Sequence, residues 1–447
     1  MKNFFTTISN IWKIDDLRVR IINTLLFLLI YRVGSFVVLP GVNYHALNAQ
    51  QNKEGIAGLL NMFAGGSFSR ASIFALGVMP YISASIVVQL LGIAVPYFAK
   101  LQKEGESGRN KINQWTRYLT IGITLLQAIG YLRSQISQEQ MLLSNPYFTI
   151  LNMFVLTAGT MFVMWLGEKI TDKGIGNGIS LIIMVGIISS LPGAFLTEFQ
   201  SRTTGTGGLI LFIVEMVGLI AVVMFTVLIV QGTRKIAVQY AKRIVGNKQY
   251  GGVRQYIPLK VNAAGVMPII FAQALMFIPS TIAQFFPNAA SNKILMSLSE
   301  YTSWGYNVVF ALLIIVFTYF YTAITVNPNQ MAEDMKKNGG FIPGIKPGRD
   351  TGSFIDGVIS RITLPGSIAL AIIAIIPALG SMVGVSSSFA RFFGGTSLII
   401  LVGVVLDTLQ QIESHLLMRH YDGLMKTGRI KGRTAIPSSD GTSQPVI

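Results

Sequence analysis

Residues 207–230 read GGLILFIVEMVGLIAVVMFTVLIV. Glu215 is the single charge in this run, and apolar side chains occupy every face, so no polar stripe is left for water. A helix needs roughly 20 mainly apolar residues to cross the hydrocarbon core of a bilayer. The stretch therefore reads as a spanning helix and sets the scale for the rest of the chain. Nine further runs of this kind occur, at 21–39, 71–99, 118–132, 148–166, 179–195, 261–286, 306–326, 362–385 and 394–417. The one at 118–132 is short by apolar length alone and is expected to begin near Trp115. The expected fold is an all-α polytopic membrane protein with ten transmembrane helices. The first run is too long for a cleaved signal peptide, and no small-residue cleavage site follows it.

The composition agrees. The 447 residues hold 51% hydrophobic and 12% charged side chains, the latter about half of the roughly 25% usual in globular proteins. Such a chain is not disordered. Thirty-five Lys+Arg face 19 Asp+Glu, for a net charge of +16. With the first residues inside, the inner segments are 1–20, 99–117, 167–178, 231–260, 327–361 and the tail from 415. They carry 28 of the basic residues and the outer side only 7. This bias predicts both termini in the cytoplasm.

The residues exclude most chemistry. Zero cysteines remove disulfides, thiolate metal sites and cysteine nucleophiles. His415 and His420 lie five apart, off one helix face, and do not suit a metal. No G-x-x-x-x-G-K-[ST] run exists. The GIGNG run at 174–178 resembles a dinucleotide fingerprint only superficially. Position 179 is Ile179 where a third glycine is needed, and no strand precedes it. A tight inner turn, capped by Asn177 and Ser180, is expected instead. No catalytic constellation remains, so neither an enzyme nor a cofactor is expected. Glu215 and Asp407 are the clear charges inside spans, with Arg32 near an interface. Glu215 is either the mid-depth group of an ion or proton carrier or a carboxylate facing a neighbouring helix or a water-filled crevice.

Two inner loops are long. Residues 231–260 read QGTRKIAVQYAKRIVGNKQYGGVRQYIPLK, with seven basic residues and no acidic one. They predict two short extended or helical arms projecting from the membrane. Residues 327–361 contain GGFIPGIKPGRD, whose Gly339, Gly340, Pro343, Pro347 and Gly348 predict tight turns and a stiff basic tip. Basic loops set topology and meet anionic lipid. Length and turn chemistry here further predict docking of a large acidic or RNA-rich partner. The tail after Arg433 is small and polar, and disorder is expected there.

Three stretches are specific: SIFALGVMPYISASIVVQLL at 72–91, WLGEKITDKGIGNGISLII at 165–183 and FGGTSLIILVGVVLD at 393–407. With the KVNAAGVMP run before the seventh span, they resemble the signature segments of the SecY/Sec61α family, the central subunits of protein-conducting channels. The resemblance extends over essentially the whole chain. It implies two inverted pseudo-symmetric halves, spans 1–5 (21–195) and 6–10 (207–417), flanked by a cytoplasmic N-terminus (1–20) and tail (418–447). The halves close like a clamshell around an hourglass pore, with a side opening between the second and seventh spans.

By motif position the family's aliphatic pore ring maps to Ile82, Ile86, Ile183, Ile187, Ile270 and Ile400. An apolar ring excludes hydrated ions by the cost of dehydration. The 82/86 and 183/187 pairs are spaced i,i+4, so each pair shares one helix face. Residues 55–70 (GIAGLLNMFAGGSFSR) are apolar but too short to cross, and by themselves read as an interfacial or re-entrant helix. The resemblance places the plug here, with Leu59, Leu60, Met62 and Phe63 as its apolar body. Gly65 and Gly66 supply a flexible connection of small cross-section. Ser85, Gln89, Gln127 and Gln273 are polar groups in apolar runs. At the side opening they are expected to form weak interhelical bonds that a signal helix can displace, and ordinary packing bonds are the other reading.

The basic loops then dock the ribosome and the motor ATPase SecA through Arg234, Lys235, Lys242, Arg243 and Lys248. In the second loop Lys346 stands where the family's GIRPG-like tip has arginine, with Arg349 just beyond. The charge is kept but the planar guanidinium fork is not. Implied partners also include the SecE and SecG subunits, signal peptides, unfolded precursor chains and anionic lipids, in the bacterial inner membrane. Energy is expected from the motor's ATP, from translation or from the membrane potential. The competing reading is a secondary transporter of a small solute, which would predict paired broken helices and polar or charged residues at the midplane.

Overall fold

The computed structural model describes residues 12, 14–43, 61–136, 140–142, 144–204, 208–240, 243–245, 248–250, 254–285, 297–298, 300 and 302–426. Each of the ten apolar runs falls on a helix. These are α1 (Asp15–Gly34), α2 (Met79–Ala94), α4 (Glu106–Gln135), α5 (Asn145–Lys173), α6 (Gly178–Thr204), α7 (Gly208–Gln231), α8 (Met267–Phe285), α9 (Trp304–Thr325), α11 (Arg349–Met382) and α13 (Gly395–Lys426). Among the described residues six helices are long and apolar enough to cross a membrane, or seven if a bent pair counts as one span.

That bent pair alters the second predicted run. Residues 71–78 are turns, so the helix begins only at Met79. It stops at Val95, and α3 (Pro96–Lys103) leaves at a bend of 104°. Pro96 explains the break, because proline has no N–H to give the preceding turn and fits the first turn of a new helix. Sixteen residues of α2 make a rod of about 24 Å, short of a full crossing.

Threonines set the packing of α4. Thr116, Thr120 and Thr124 are buried. Each hydroxyl donates to the carbonyl four residues back, at 2.9, 2.7 and 2.6 Å. The stripe is thereby satisfied within its own helix and presents only small side chains to α2 and α5, which pack on α4. The helix cores merge into a central cluster that includes Phe63, Ile183, Ile187, Phe389 and Ile400. A second apolar core joins α8, α9, α11 and α13.

The two long loops, 231–260 and 327–361, come together. The predicted arms are strands: β1 (Thr233–Tyr240) pairs antiparallel with β4 (Arg254–Lys260), Thr233 opposite Lys260 and Gln239 opposite Arg254. A smaller ladder joins β2 (Arg243–Val245) to β3 (Lys248–Tyr250). The second loop is less irregular than expected. It opens with α10 (Pro328–Lys337), capped by Asn327, whose side chain accepts from Gln330 N at 3.3 Å. Then β5 (Gly340–Phe341) pairs with β1, giving the order β4-β1-β5.

The expected turns occupy only the stretch up to Gly348, since α11 already begins at Arg349. Ile236, Val238, Leu259, Met335, Ile342 and Ile355 close a small core beneath the sheet. Ile355 lies on α11, and Leu370 of the same helix sits in the membrane-level core. A straight helix of 34 residues would be about 51 Å long, so α11, which holds Pro365 and Pro377 in its interior, exceeds the length of one crossing and links the sheet's core to the second apolar core.

The glycine run at 174–178 is the turn between α5 and α6. Gly176 has φ +82, and its N–H donates to Gln411 Oε1 at 2.9 Å. Asn177 caps α6 by accepting from Ser180 N at 3.3 Å, so Ser180 contributes its backbone rather than its hydroxyl.

Candidate functional site

Between α2, α4, α6, α8 and α13 lies an elongated cavity of about 480 Å³, mostly apolar in its lining. Ile82 and Ile86 come from α2, Ile183 from α6, Ile270 from α8 and Ile400 from α13. Five of the six predicted ring residues therefore line the same cavity. Ile187 does not line it. One turn further along α6, it is fully buried in the cluster that also holds Met62 and Phe63. The i,i+4 spacing places Ile183 and Ile187 on one face, but that face runs from the cavity into the packing behind it.

Residues 61–70 contribute Phe63, Ala64 and Phe68 to the lining. Phe63 lines the cavity and is buried, as is Met62. Leu59 and Leu60 lie outside the described residues. Among the described residues the segment is helical at 61–63 and then turns through Gly65 and Gly66, at φ +62 and +86. Such backbone angles suit glycine, which has no Cβ to clash.

Several groups hold this segment. Gly65 O accepts from Arg32 Nη1 at 2.7 Å and from Arg70 Nη2 at 2.8 Å. Both guanidinium groups lie over the Phe36 ring, 4.9 and 4.2 Å from its centroid. Tyr131 donates to Phe68 O at 2.7 Å, and Ser69 N donates to Asn61 Oδ1 at 2.9 Å. On the α6 side the contact is backbone to backbone. A Cβ built on Gly186 would stand 2.5 Å from Phe63 O. Downstream, the strand-like bridge Val38–Ser72 carries Leu39 N to Ala71 O at 2.8 Å and Ile73 N to Val37 O at 2.9 Å.

The polar residues of the predicted side opening divide. Ser85 and Gln89 bond to each other, Gln89 Nε2 to Ser85 Oγ at 3.2 Å, one turn apart on α2. They satisfy each other locally and do not reach across to another helix. Gln127 of α4 and Gln273 of α8 line the cavity. Gln273 is buried and its Oε1 has no hydrogen-bond partner. Where α8 approaches α2 and α4, Gln273 thus brings an unbonded amide oxygen to the cavity.

Of the predicted docking residues, Arg234 and Lys235 stand exposed on β1, and Lys346 and Arg349 are exposed beside the turn that begins α11. Arg243 and Lys248 belong to β2 and β3, and Lys242 lies outside the described residues. Because β1 pairs with β5, both loops offer their charges from one platform.

Glu215 faces a neighbouring helix. It accepts from Arg202 Nη2 at 2.6 Å, and Arg202 Nε donates to Glu198 Oε1 at 2.9 Å. The Glu198–Arg202 spacing on one helix face was readable as a pair, whereas the third partner was not. Gly186, Arg32 and Arg70 were also missed as contacts of the 61–70 segment. Only the charges of the two arginines could have signalled them.

Among the described residues no group of His, Asp or Glu suits a metal ion. The SecY family model matches residues 72–409. The protein translocase subunit SecY of Streptomyces scabiei is 44% identical over 439 residues, covering 94% of this chain and all of that protein. The SecY subunit of Halalkalibacterium halodurans is 44% identical over 442 residues, with the same coverage. Among solved structures, one of a protein-conducting channel superposes with a TM-score of 0.66 at 17% identity, covering 89% of this chain and 92% of that one. Sec61 from a canine ribosome–channel complex gives 0.61 at 17% identity, with the same coverage. At that identity the likeness establishes the fold.

Proposed function

The chain belongs to the SecY family of protein translocase subunits, and from that premise we propose how its residues divide the work of a protein-conducting channel. It serves the Sec translocase; it is neither an enzyme nor a solute transporter. The observation that carries the assignment of parts is the cavity wall, on which α2, α6, α8 and α13 each place isoleucine. A hydrated ion loses water there with nothing in return, whereas an extended polypeptide of any composition pushes flexible aliphatic side chains aside. Ile82, Ile86, Ile183, Ile270 and Ile400 form the constriction, and Ile187 backs it. Residues 55–70 are the plug, seated through Met62 and Phe63 and turning at Gly65 and Gly66.

The ten spans form two inverted halves, 21–195 and 207–417, with both termini in the cytoplasm of a bacterial cell and the chain in its inner membrane. The seam of α8 against α2 and α4 is the lateral gate. Gln127 and Gln273 line it, and Ser85 and Gln89 stiffen α2 beside it. Signal peptides and membrane segments of precursor chains leave through it into lipid. Gln273 Oε1 is unpartnered, so this amide oxygen gives up no hydrogen bond when the gate opens.

The β4-β1-β5 platform docks the ribosome and SecA through Arg234, Lys235, Lys346 and Arg349, joined by Lys242, Arg243 and Lys248. The canine Sec61 neighbour comes from a ribosome complex, which supports the first of these. SecE, SecG and anionic lipids complete the working assembly. Energy comes from the partner ATPase, the ribosome or the membrane potential.

Site-specific crosslinking tests the reading. A crosslinker at Ile86 or Ile183 is expected to capture the mature region of a secretory precursor arrested during transport. Absence of adducts at both positions, in membranes that still export the precursor, refutes the constriction.

A further inference from the structure

Asp407 is the second charge that the sequence sets inside a span, and no contact in the fold accounts for it. It lies on α13 and is exposed. Among the described residues it forms no ion pair or hydrogen bond, whereas Asp15, Asp16 and Glu168 each hold an arginine. A carboxylate within a span is costly and is kept where it faces a water-filled cavity or a partner.

Helix periodicity fixes where it faces. At about 100° per residue, positions 396, 400, 403, 407 and 411 of α13 form one stripe. Thr396 and Ile400 line the cavity. Gly403 lies against the start of α8, since a Cβ built on it would stand 2.6 Å from Val266 Cγ2. Gln411 Oε1 accepts from Gly176 N at 2.9 Å, in the turn between α5 and α6. Asp407 falls between these last two contacts. It therefore looks into the opening bounded by the start of α8 and the α5–α6 turn, about 10 Å from Ile400 along the helix axis. Val266 and the 174–178 turn precede the cavity-lining Ile270 and Ile183 in the chain. With the termini inside, this opening is the inner mouth of the pore. Glu413, the next acid on α13, falls on the opposite side of the helix.

We propose that Asp407 binds cationic side chains of the entering polypeptide. It holds the Lys/Arg-rich flank of a signal peptide at the inner mouth while the apolar segment lies along α8. This inference rests on the channel reading and the inner placement of the termini given above. A signal peptide sets its positive flank directly before an apolar run of about 7–15 residues. As a helix that run is about 10–22 Å long. Measured from Asp407, it reaches the level of Ile400 or beyond, so the apolar part spans the gate while the cation stays behind. The surrounding inner face is basic, the loop 231–260 carrying seven basic residues and no acidic one. It repels such a flank, and an unpaired carboxylate beside α8 marks the place where the flank is drawn in.

The test uses the assembled complex in vesicles and two precursors that differ only in the flank, Lys-Lys or Glu-Glu. Asp407→Asn changes charge with little change of shape at an exposed position. It is expected to slow export of the Lys-Lys precursor by up to about fivefold, the range of an exposed ion pair, and to leave the Glu-Glu precursor unaffected. Asp407→Lys is expected to favour the Glu-Glu precursor over the Lys-Lys one. Equal slowing of both precursors overturns the site, because a structural role or a cation of a neighbouring subunit acts on every substrate alike. Unchanged export of both overturns it too.

Proximity is read separately. The chain lacks cysteine, so Gln410→Cys, at an exposed position one turn from Asp407, gives a single thiol. A disulfide with a cysteine in the flank of an arrested precursor is expected. Its absence, in complexes where a crosslinker at Ile86 still captures the mature region, overturns the Asp407 site alone. Absence at both Gln410 and Ile86 overturns the channel reading beneath it.

Discussion

Gly186→Ala is a one-methyl perturbation aimed at the seat of the plug. The new Cβ would stand 2.5 Å from Phe63 O, 3.1 Å from Gly65 N and 3.2 Å from Phe63 C. The first is half an ångström inside the 3.0 Å that real Cβ atoms keep. All three neighbours are backbone, so no side chain can rotate away. Either α6 or the 61–66 backbone must shift, and α6 is fixed through Ile182, Ile183 and Ile187, all buried.

Overpacking of this size costs about 1–3 kcal/mol. The strain exists only while the plug is seated, so it shifts the seated-to-displaced ratio by about 5- to 150-fold. Alanine also favours a helix interior over glycine by about 1 kcal/mol. That gain acts on α6 whether or not the plug is seated, and so cancels from the ratio. The assay is ion leak through the complex reconstituted in vesicles, alongside amide hydrogen exchange over 61–70. Both are expected to rise. Leak and exchange that both match the wild type would refute the argument that the close approach at Gly186 holds the segment.

Four further outcomes follow from the same geometry. Arg32→Met removes the 2.7 Å bond to Gly65 O and the stacking on Phe36; a hydrogen bond to a charged group is worth about 1.5–3 kcal/mol, so the same leak assay should rise. Ile183→Lys hydrates the apolar constriction, and single-channel recording should show raised resting conductance. Arg202→Met alone should destabilise the purified complex by about 3–5 kcal/mol, because two buried carboxylates lose their cation, and a thermal unfolding scan detects this. Arg234→Glu with Lys235→Glu reverses two exposed charges on β1 without touching the core beneath. Ribosome affinity should fall, and its log–log salt slope should shrink by roughly 2 if these residues contact RNA phosphates.

How far the sequence was legible depends on which force acts at each place. The apolar runs are long because the bilayer demands it, so they could be read residue by residue. Residues 71–78 were misread as helix because turns packed inside protein are as apolar as a span, and only Gly77, at φ +55, hints at the difference. Pro96 did signal a break, but the run 71–99 absorbed it. The β1–β5 pairing was invisible, since Gly340–Phe341 is two residues long and about a hundred positions from its partner. At the site, five of the six isoleucines picked by motif placement line one cavity. Motif placement could not separate Ile183 from Ile187, which differ by one turn and by what lies beyond. Ser85 and Gln89 illustrate the opposite error. Their i,i+4 spacing, good for pointing at one neighbour, is equally good for satisfying each other.

The bridge at Val38–Ser72 makes the proposed plug a stopper on a leash. Its two backbone bonds, at Ala71 and Ile73, moor the chain to Val37 and Leu39, just past α1. Ten residues separate Asn61 from that mooring, and fully drawn out they reach roughly 35 Å. The stopper can swing clear of the constriction yet never drift off, so its return is a search over a small tethered volume. Resealing after each passage is then a first-order event, with a rate that does not depend on how many channels the membrane holds.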